Sequence, residues 1–216
     1  MKNPWLDIPL ADYEGHMALP EVGQASLLAE TFERVLREYR PGSVAVIGCA
    51  GGNGFERIDP AVTRRVVGID INADYLEQAR ARWEARLSGL ELVEGDVQDA
   101  RLRIAPVELI YVALLFEYVA ADAALAWCRA SLDGEGCLVT VIQLASPERD
   151  AVTPSPFAGV HLLAGIMRLL SPDELRDCAA VAGLTEVARR IAHACYPDCR
   201  HAPADSRPGR RTQTGP

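Results

Sequence analysis

Apolar residues recur along this chain in two alternating rhythms. Leu28, Phe32, Val35, Leu36 and Tyr39 fall at i, i+4, i+7, i+8 and i+11, one stripe of an amphipathic helix that Pro41-Gly42 ends. Ser43 to Gly48 follows as a short valine-rich run, a buried strand. Val66 to Asp70 is a second such run, and behind it Leu76, Ala79, Trp83 and Leu87 share one helix face with Asn72 as N-cap. Leu90 to Glu94 alternates as a third strand, Leu109 to Leu115 is a fully apolar fourth, and Cys137 to Leu144 is a fifth. A helix from about Ala121 to Leu132 joins the last two and stops at Asp133-Gly134. Strands that are apolar on both faces and alternate with helices call for a mostly parallel sheet covered on both sides, so the expected fold class is α/β, doubly wound.

The rest of the chain departs from that alternation. After the fifth strand come Pro147, Pro154 and Pro156 and an apolar segment from Phe157 to Leu170, and residues 146–170 read as a lid or substrate insertion. Ser171-Pro172-Asp173-Glu174 has a cap residue, proline at the first helical position and Glu at the third, which predicts a helix ending near Gly183; Leu184 to Ile191 is a sixth strand. Residues 1–24 read as an arm covering the site and 25–191 as the domain. From Ala192 to Pro216 there is no Leu, Ile, Val, Phe or Met, and this tail is expected to be disordered.

With 216 residues, 49% of them apolar, the chain can bury one core and a small appendage. Its formal charge is −8 with Lys2 as the only lysine, and residues 1–191 carry about −10, a balance that repels a phosphate backbone; nucleic acid is not an expected partner. No apolar run reaches the roughly 20 residues that span a bilayer. The amino terminus does not read as a signal peptide, so a cytoplasmic protein with six reduced cysteines is expected.

The candidate chemistry sits at strand ends, where open α/β sheets bind ligands. The first strand ends in Val46-Ile47-Gly48-Cys49-Ala50-Gly51-Gly52-Asn53-Gly54, a turn rich enough in glycine for a ligand to lie against its backbone. Asp70 ends the second strand 18 residues after Gly52, the distance at which a carboxylate accepts both hydroxyls of a ribose over the glycine turn. Its plainer alternative is a turn residue ahead of the Asn72 cap. Gly95-Asp96-Val97 follows the third strand, where a carboxylate and a neighbouring N–H suit an adenine edge.

These residues resemble the class I S-adenosylmethionine-dependent methyltransferases over about Ala25 to Ile191. Gly48-Cys49-Ala50-Gly51-Gly52 is similar to that family's glycine loop with Ala50 at the middle glycine, and Leu115-Phe116-Glu117-Tyr118-Val119 is similar to the segment that faces cofactor and substrate. The opening, Pro4 to Pro9 and Asp12 to Met17, resembles the leader of bacterial methyltransferase-domain proteins with no assigned substrate. The resemblance implies a Rossmann-like fold, S-adenosylmethionine as cofactor, and cofactor contacts from Gly48, Cys49, Ala50, Gly52, Asp70, Ile71, Asp96, Val97 and Leu114. The acid that often precedes the loop is missing, since Ala45 and Val46 fill that stretch. Members usually end in an antiparallel seventh strand, for which nothing after Ile191 has the pattern.

The implied reaction is methyl transfer to a small-molecule acceptor, for which the protein mainly holds the reacting atoms in line and excludes water. For a hydroxyl acceptor the candidate bases are His16, Glu117 and His161, in that order, with Tyr13 beside His16 on the arm. No metal is required. His193, Cys195, Cys199 and His201 lie within nine residues, but their spacing fits a zinc site poorly. A non-catalytic cofactor-binding module is the first alternative. A nicotinamide-dependent dehydrogenase is the second and fits less well, because Ala50 and Asn53 fall where its second and third glycines belong. Deleting residues 202–216 removes no large aliphatic side chain, so the melting temperature is expected to stay within a few degrees of the full chain's in a calorimetric scan.

Overall fold

The computed structural model describes residues 3–147 and 151–192. The expected tail, with His193, Cys195, Cys199 and His201, lies almost wholly outside them. Five strands form one all-parallel sheet in the order β3-β2-β1-β4-β5: β1 Ser43–Ile47, β2 Arg65–Asp70, β3 Leu90–Glu94, β4 Val107–Ala113 and β5 Leu132–Val141. Five helices accompany it: α1 Leu10–Met17, α2 Gln24–Tyr39, α3 Ala73–Trp83, α4 Ala121–Ser131 and α5 Pro172–Val181. Strand order reverses between β1 and β4, and this switch point opens a crevice at their carboxyl ends.

Alternate strand residues serve two cores, as a doubly wound sheet requires. Val44, Val46, Val66, Leu109 and Tyr111 face Phe32 and Val35 of α2 and Leu76 of α3. Ala45, Ile47, Val67, Ile69, Ile110 and Val112 face Ala124, Leu125 and Cys128 of α4 and Leu175 of α5. The β1–β2 crossover is unusual in having only a 3-10 turn, Phe55–Arg57, whose Phe55 is wholly buried. At the other end of the chain a 3-10 turn at Pro4–Leu6 leads into α1.

Several boundaries shift from the sequence reading. β4 ends at Ala113 rather than Leu115, and β5 runs from Leu132 to Val141 with a register shift opposite Val107 and Leu109. That irregularity absorbs Asp133 to Gly136, the residues read as a helix stop. The sixth strand expected at Leu184–Ile191 is not formed. The segment makes no sheet ladder, and Val187 and Ile191 are 81% and 70% exposed. Among the described residues it has no strand to pair with, and an unpaired strand has no ladder to stabilise it. The lid segment forms a 3-10 turn, Ala158–Gly165, and among the described residues no helix is long and apolar enough to cross a membrane.

The α5 cap forms as expected: Ser171 Oγ accepts the Glu174 N–H at 3.1 Å, with Pro172 at the first helical position. Ser171→Ala is expected to cost about 1 kcal/mol. For a chain of this size that lowers the melting temperature by about 2–4 °C in a thermal scan.

Candidate cofactor and acceptor site

The loop after β1 is built from left-handed backbone. Gly48, Ala50, Gly52 and Gly54 all have positive φ, +67°, +48°, +79° and +90°. Ala50 takes up a conformation that costs a side-chain-bearing residue about 1 kcal/mol, which explains why a glycine would suit the position. At Gly48 a Cβ would have Leu115 Cδ1 as its neighbour at 3.5 Å, so the loop's free side faces the segment after β4 across the crevice. At Gly52 a Cβ would lie 2.5 Å from the Trp83 ring, whose Nε1 donates to the Gly51 carbonyl at 3.1 Å. The loop is thereby fixed against α3.

Asp70 ties this loop to the next. Its Oδ2 accepts the Ala50 N–H at 2.9 Å and its Oδ1 accepts the Asn72 N–H at 3.0 Å. It is buried, and desolvation raises its pKa against the opposing pull of the Asn72, Ala50 and Ile71 N–H groups. Each oxygen retains capacity for a second donor. Cys49 is buried with its thiol pKa pushed well up by desolvation, so it packs rather than reacts. Ile71 is half-buried beside Asp70, and Leu114 follows β4 with φ +53°. Asp96 lies at the end of β3, but its carboxylate is engaged by Gln98 through the backbone N–H at 2.9 Å and through Nε2 at 3.1 Å to each oxygen; Gln98 Oε1 in turn accepts the Ala120 N–H. Val97 is buried in the α4-side core.

The arm packs against both the lid segment and the loop after β1. Leu10, Ala50, Tyr75 and Tyr13 form one cluster, while Ile8, Val160 and Leu163 form another with Trp5, Tyr13, Tyr118 and Phe157. Trp5 stands edge-on to Tyr13 at 5.5 Å and to Tyr118 at 5.1 Å. A Cβ at Gly15 would collide with the Phe157 ring, so the lid ring fits only against a glycine in α1. Tyr13 has its hydroxyl pKa raised by burial and by the charges of Asp70 and Glu14. His16 is 6% exposed and its Nδ1 has no hydrogen-bond partner; burial lowers its pKa, with His161 adding to the effect. His161 itself is exposed, with Nε2 3.0 Å from the Ser155 carbonyl. Glu117 is 1% exposed, its Oε1 accepts the Gln143 N–H at 2.6 Å, and its Oε2 has no partner. His16 Nδ1 and Glu117 Oε2 are the buried side-chain polar atoms left unpartnered among the described residues.

Residues 44–136 match the family model described as a methyltransferase domain. Over that stretch the chain is similar to methyltransferase domains, on an open parallel sheet of doubly wound topology. A relative in Streptomyces fradiae, an uncharacterized 37.1 kDa protein in transposon Tn4556, is 33% identical over 120 residues, which cover 54% of this chain and 33% of that protein. Among solved structures, a "possible exported protein" from Bordetella parapertussis superposes with a TM-score of 0.61 at 20% identity, covering 78% of this chain and 64% of that one. The pyocyanin biosynthetic protein PhzM does so with a TM-score of 0.55 at 23% identity, covering 79% and 55%. The chain thus spans a third of the length of its curated relative and between half and two thirds of these two structures. The matched residues run from β1 to the start of β5 and include the glycine loop, Asp70, Asp96 and Glu117; Tyr13, His16 and His161 lie outside the match.

Three features of the site's surroundings escaped the sequence reading. Asn72 was legible as a cap, but its Nδ2 also donates to the Trp5 carbonyl at 2.9 Å. Arg82 pairs with Glu14 of the arm through two contacts of 2.6 and 3.0 Å. Gln143 joins Glu117 to Gln24 of α2 and to the Ala151 carbonyl. Only the first left a signal, an amide where several other caps would serve.

Burial raises the Glu117 pKa above its usual 4.5, so its charged form is less favourable in the folded than in the unfolded chain. Its contribution to stability is therefore fully present below pH 4.5 and is lost as pH rises through the folded value. Glu117→Gln does not ionise. Relative to the unsubstituted protein its stability is expected to change little between pH 3.5 and 4.5 and to rise from there to pH 7, as read from paired urea melts.

Proposed function

We propose that this protein is a cytoplasmic methyltransferase that moves a methyl group from S-adenosylmethionine to a small-molecule acceptor. The observation that carries the reading is Asp70: a buried carboxylate, fixed by two backbone N–H groups at the carboxyl end of β2, beside a left-handed glycine loop at the β1/β4 switch point. A carboxylate so held presents its remaining lone pairs in one orientation, as recognition of two ribose hydroxyls requires. Gly48, with a free side toward Leu115, and half-buried Ile71 and Leu114 supply the walls. The family match and the fold support the same assignment. S-adenosylmethionine supplies a sulfonium methyl that transfers to a nucleophile in one in-line displacement.

The chain's own work is to exclude water and manage the acceptor's proton. Trp5, Tyr13, Tyr118 and Phe157 form the apolar cover. His16, buried, with its pKa lowered chiefly by that burial and with Nδ1 unpartnered, is the group suited to take a proton from an acceptor hydroxyl. Glu117 spans the ends of β4 and β5 and has Oε2 left to hold the acceptor. His161, exposed and engaged at Nε2, is less suited to be the base and instead conditions His16.

Asp70→Ala is expected to weaken S-adenosylhomocysteine binding about 30-fold to 1,000-fold by calorimetry, the loss of two charge-assisted bonds. His16→Ala should leave that affinity within about threefold while lowering turnover of an identified acceptor. Tighter binding of NADH than of S-adenosylhomocysteine by the unsubstituted protein would overturn the reading.

A further inference from the structure

Asn72 makes contacts in three directions. Its backbone N–H donates to Asp70 Oδ1 at 3.0 Å, its Oδ1 caps α3 by accepting the N–H groups of Asp74 and Tyr75 at 3.0 and 3.3 Å, and its Nδ2 donates to the Trp5 carbonyl at 2.9 Å. One residue thus touches the ribose-side acid, a helix start and the arm. Capping alone does not need an amide, because Asp or Ser caps equally well; what Asn adds is a donor. Tyr75, three positions on, repeats the pattern. Its ring stacks 6.5 Å from Tyr13 and fills the cluster with Leu10 and Ala50, which Phe would also fill, but its hydroxyl donates to the Ile8 carbonyl at 2.8 Å. Both side chains are buried, so each bond to an arm carbonyl is shielded from water. Further along α3, Arg82 holds Glu14. The arm is therefore seated on α3 at residues 5, 8 and 14, and the same cluster contains Ala50, whose N–H Asp70 holds.

From this arrangement we infer that Asn72 and Tyr75 are positioning residues that couple seating of the arm to occupation of the cofactor crevice. The inference rests on the reading of that crevice as the S-adenosylmethionine site. A ligand that orders the Asp70 carboxylate also orders the Asn72 peptide and the Ala50 loop, the two supports on which the arm rests. Coupling of this kind is reciprocal: whatever factor the ligand adds to arm seating, the seated arm adds to ligand affinity. The arm also lies over the loop, so a seated arm slows ligand release.

The test uses the full chain and S-adenosylhomocysteine as probe, with hydrogen-exchange mass spectrometry on arm peptides from residues 3–23 and stopped-flow measurement of ligand release. Asn72→Asp retains the cap and removes the donor, and Tyr75→Phe removes only a hydroxyl. In the unsubstituted protein the ligand is expected to slow arm exchange. Each variant is expected to speed both arm exchange and ligand release about fivefold, the loss of one hydrogen bond, with the melting temperature within a few degrees of the unsubstituted chain's. Tyr75→Phe is decisive, because Asn72→Asp also places a charge near Asp70. Faster arm exchange in Tyr75→Phe with unchanged ligand release would overturn the coupling, as would ligand binding that leaves arm exchange unaltered in the unsubstituted protein. Failure of the unsubstituted protein to bind S-adenosylhomocysteine at all would overturn the cofactor reading itself.

Discussion

The Asp70 carboxylate is the joint on which the site depends. Its two oxygens hold the Ala50 N–H on one side and the Asn72 N–H on the other, and so link the loop after β1 to the turn before α3. Burial makes the charge costly, and the backbone donors offset part of that cost. The left-handed path of the loop, including the strained Ala50, follows from this attachment. The capped start of α3 follows from it too, and through α3 the placement of the arm.

The second organising constraint is steric. α1 meets the lid through Gly15 against the Phe157 ring, and the lid meets the sheet where the Arg168 N–H donates to the Glu117 carbonyl at 2.8 Å. Arm, lid and the segment after β4 are thus packed on one another, and among the described residues this packing leaves two buried side-chain polar atoms, His16 Nδ1 and Glu117 Oε2, without partners.

The sheet was readable from the sequence because the inner strands are apolar on both faces, the edge strand β3 alternates, and the helices carry apolar stripes; β3 was located to the residue and β1 and β2 to within one. The glycine loop, Asp70 and the Asn72 and Ser171 caps were readable because each is a local rule with a local cause. What was not readable depends on contacts distant in sequence. Leu184–Ile191 was read as a strand, but a strand exists only with a neighbour. The burial of Glu117 depends on Gln143, 26 residues away, and the exposure of His161 depends on which side of the lid turn meets α1. The bonds from Gln98 to Asp96 were equally hidden; they leave Oδ2, with one donor against two at Oδ1, room for another.

The short turn that replaces a crossover helix between β1 and β2 bears on what the crevice can hold. Where a glycine loop opens a full helix, aligned peptide dipoles place a partial positive charge beside the ligand, an arrangement matched to phosphates. Here only three residues of 3-10 turn follow Gly54, with the acidic Glu56 among them, so this segment lines up few peptide dipoles behind the loop. The share of positive field that a crossover helix adds at such a loop is correspondingly small here.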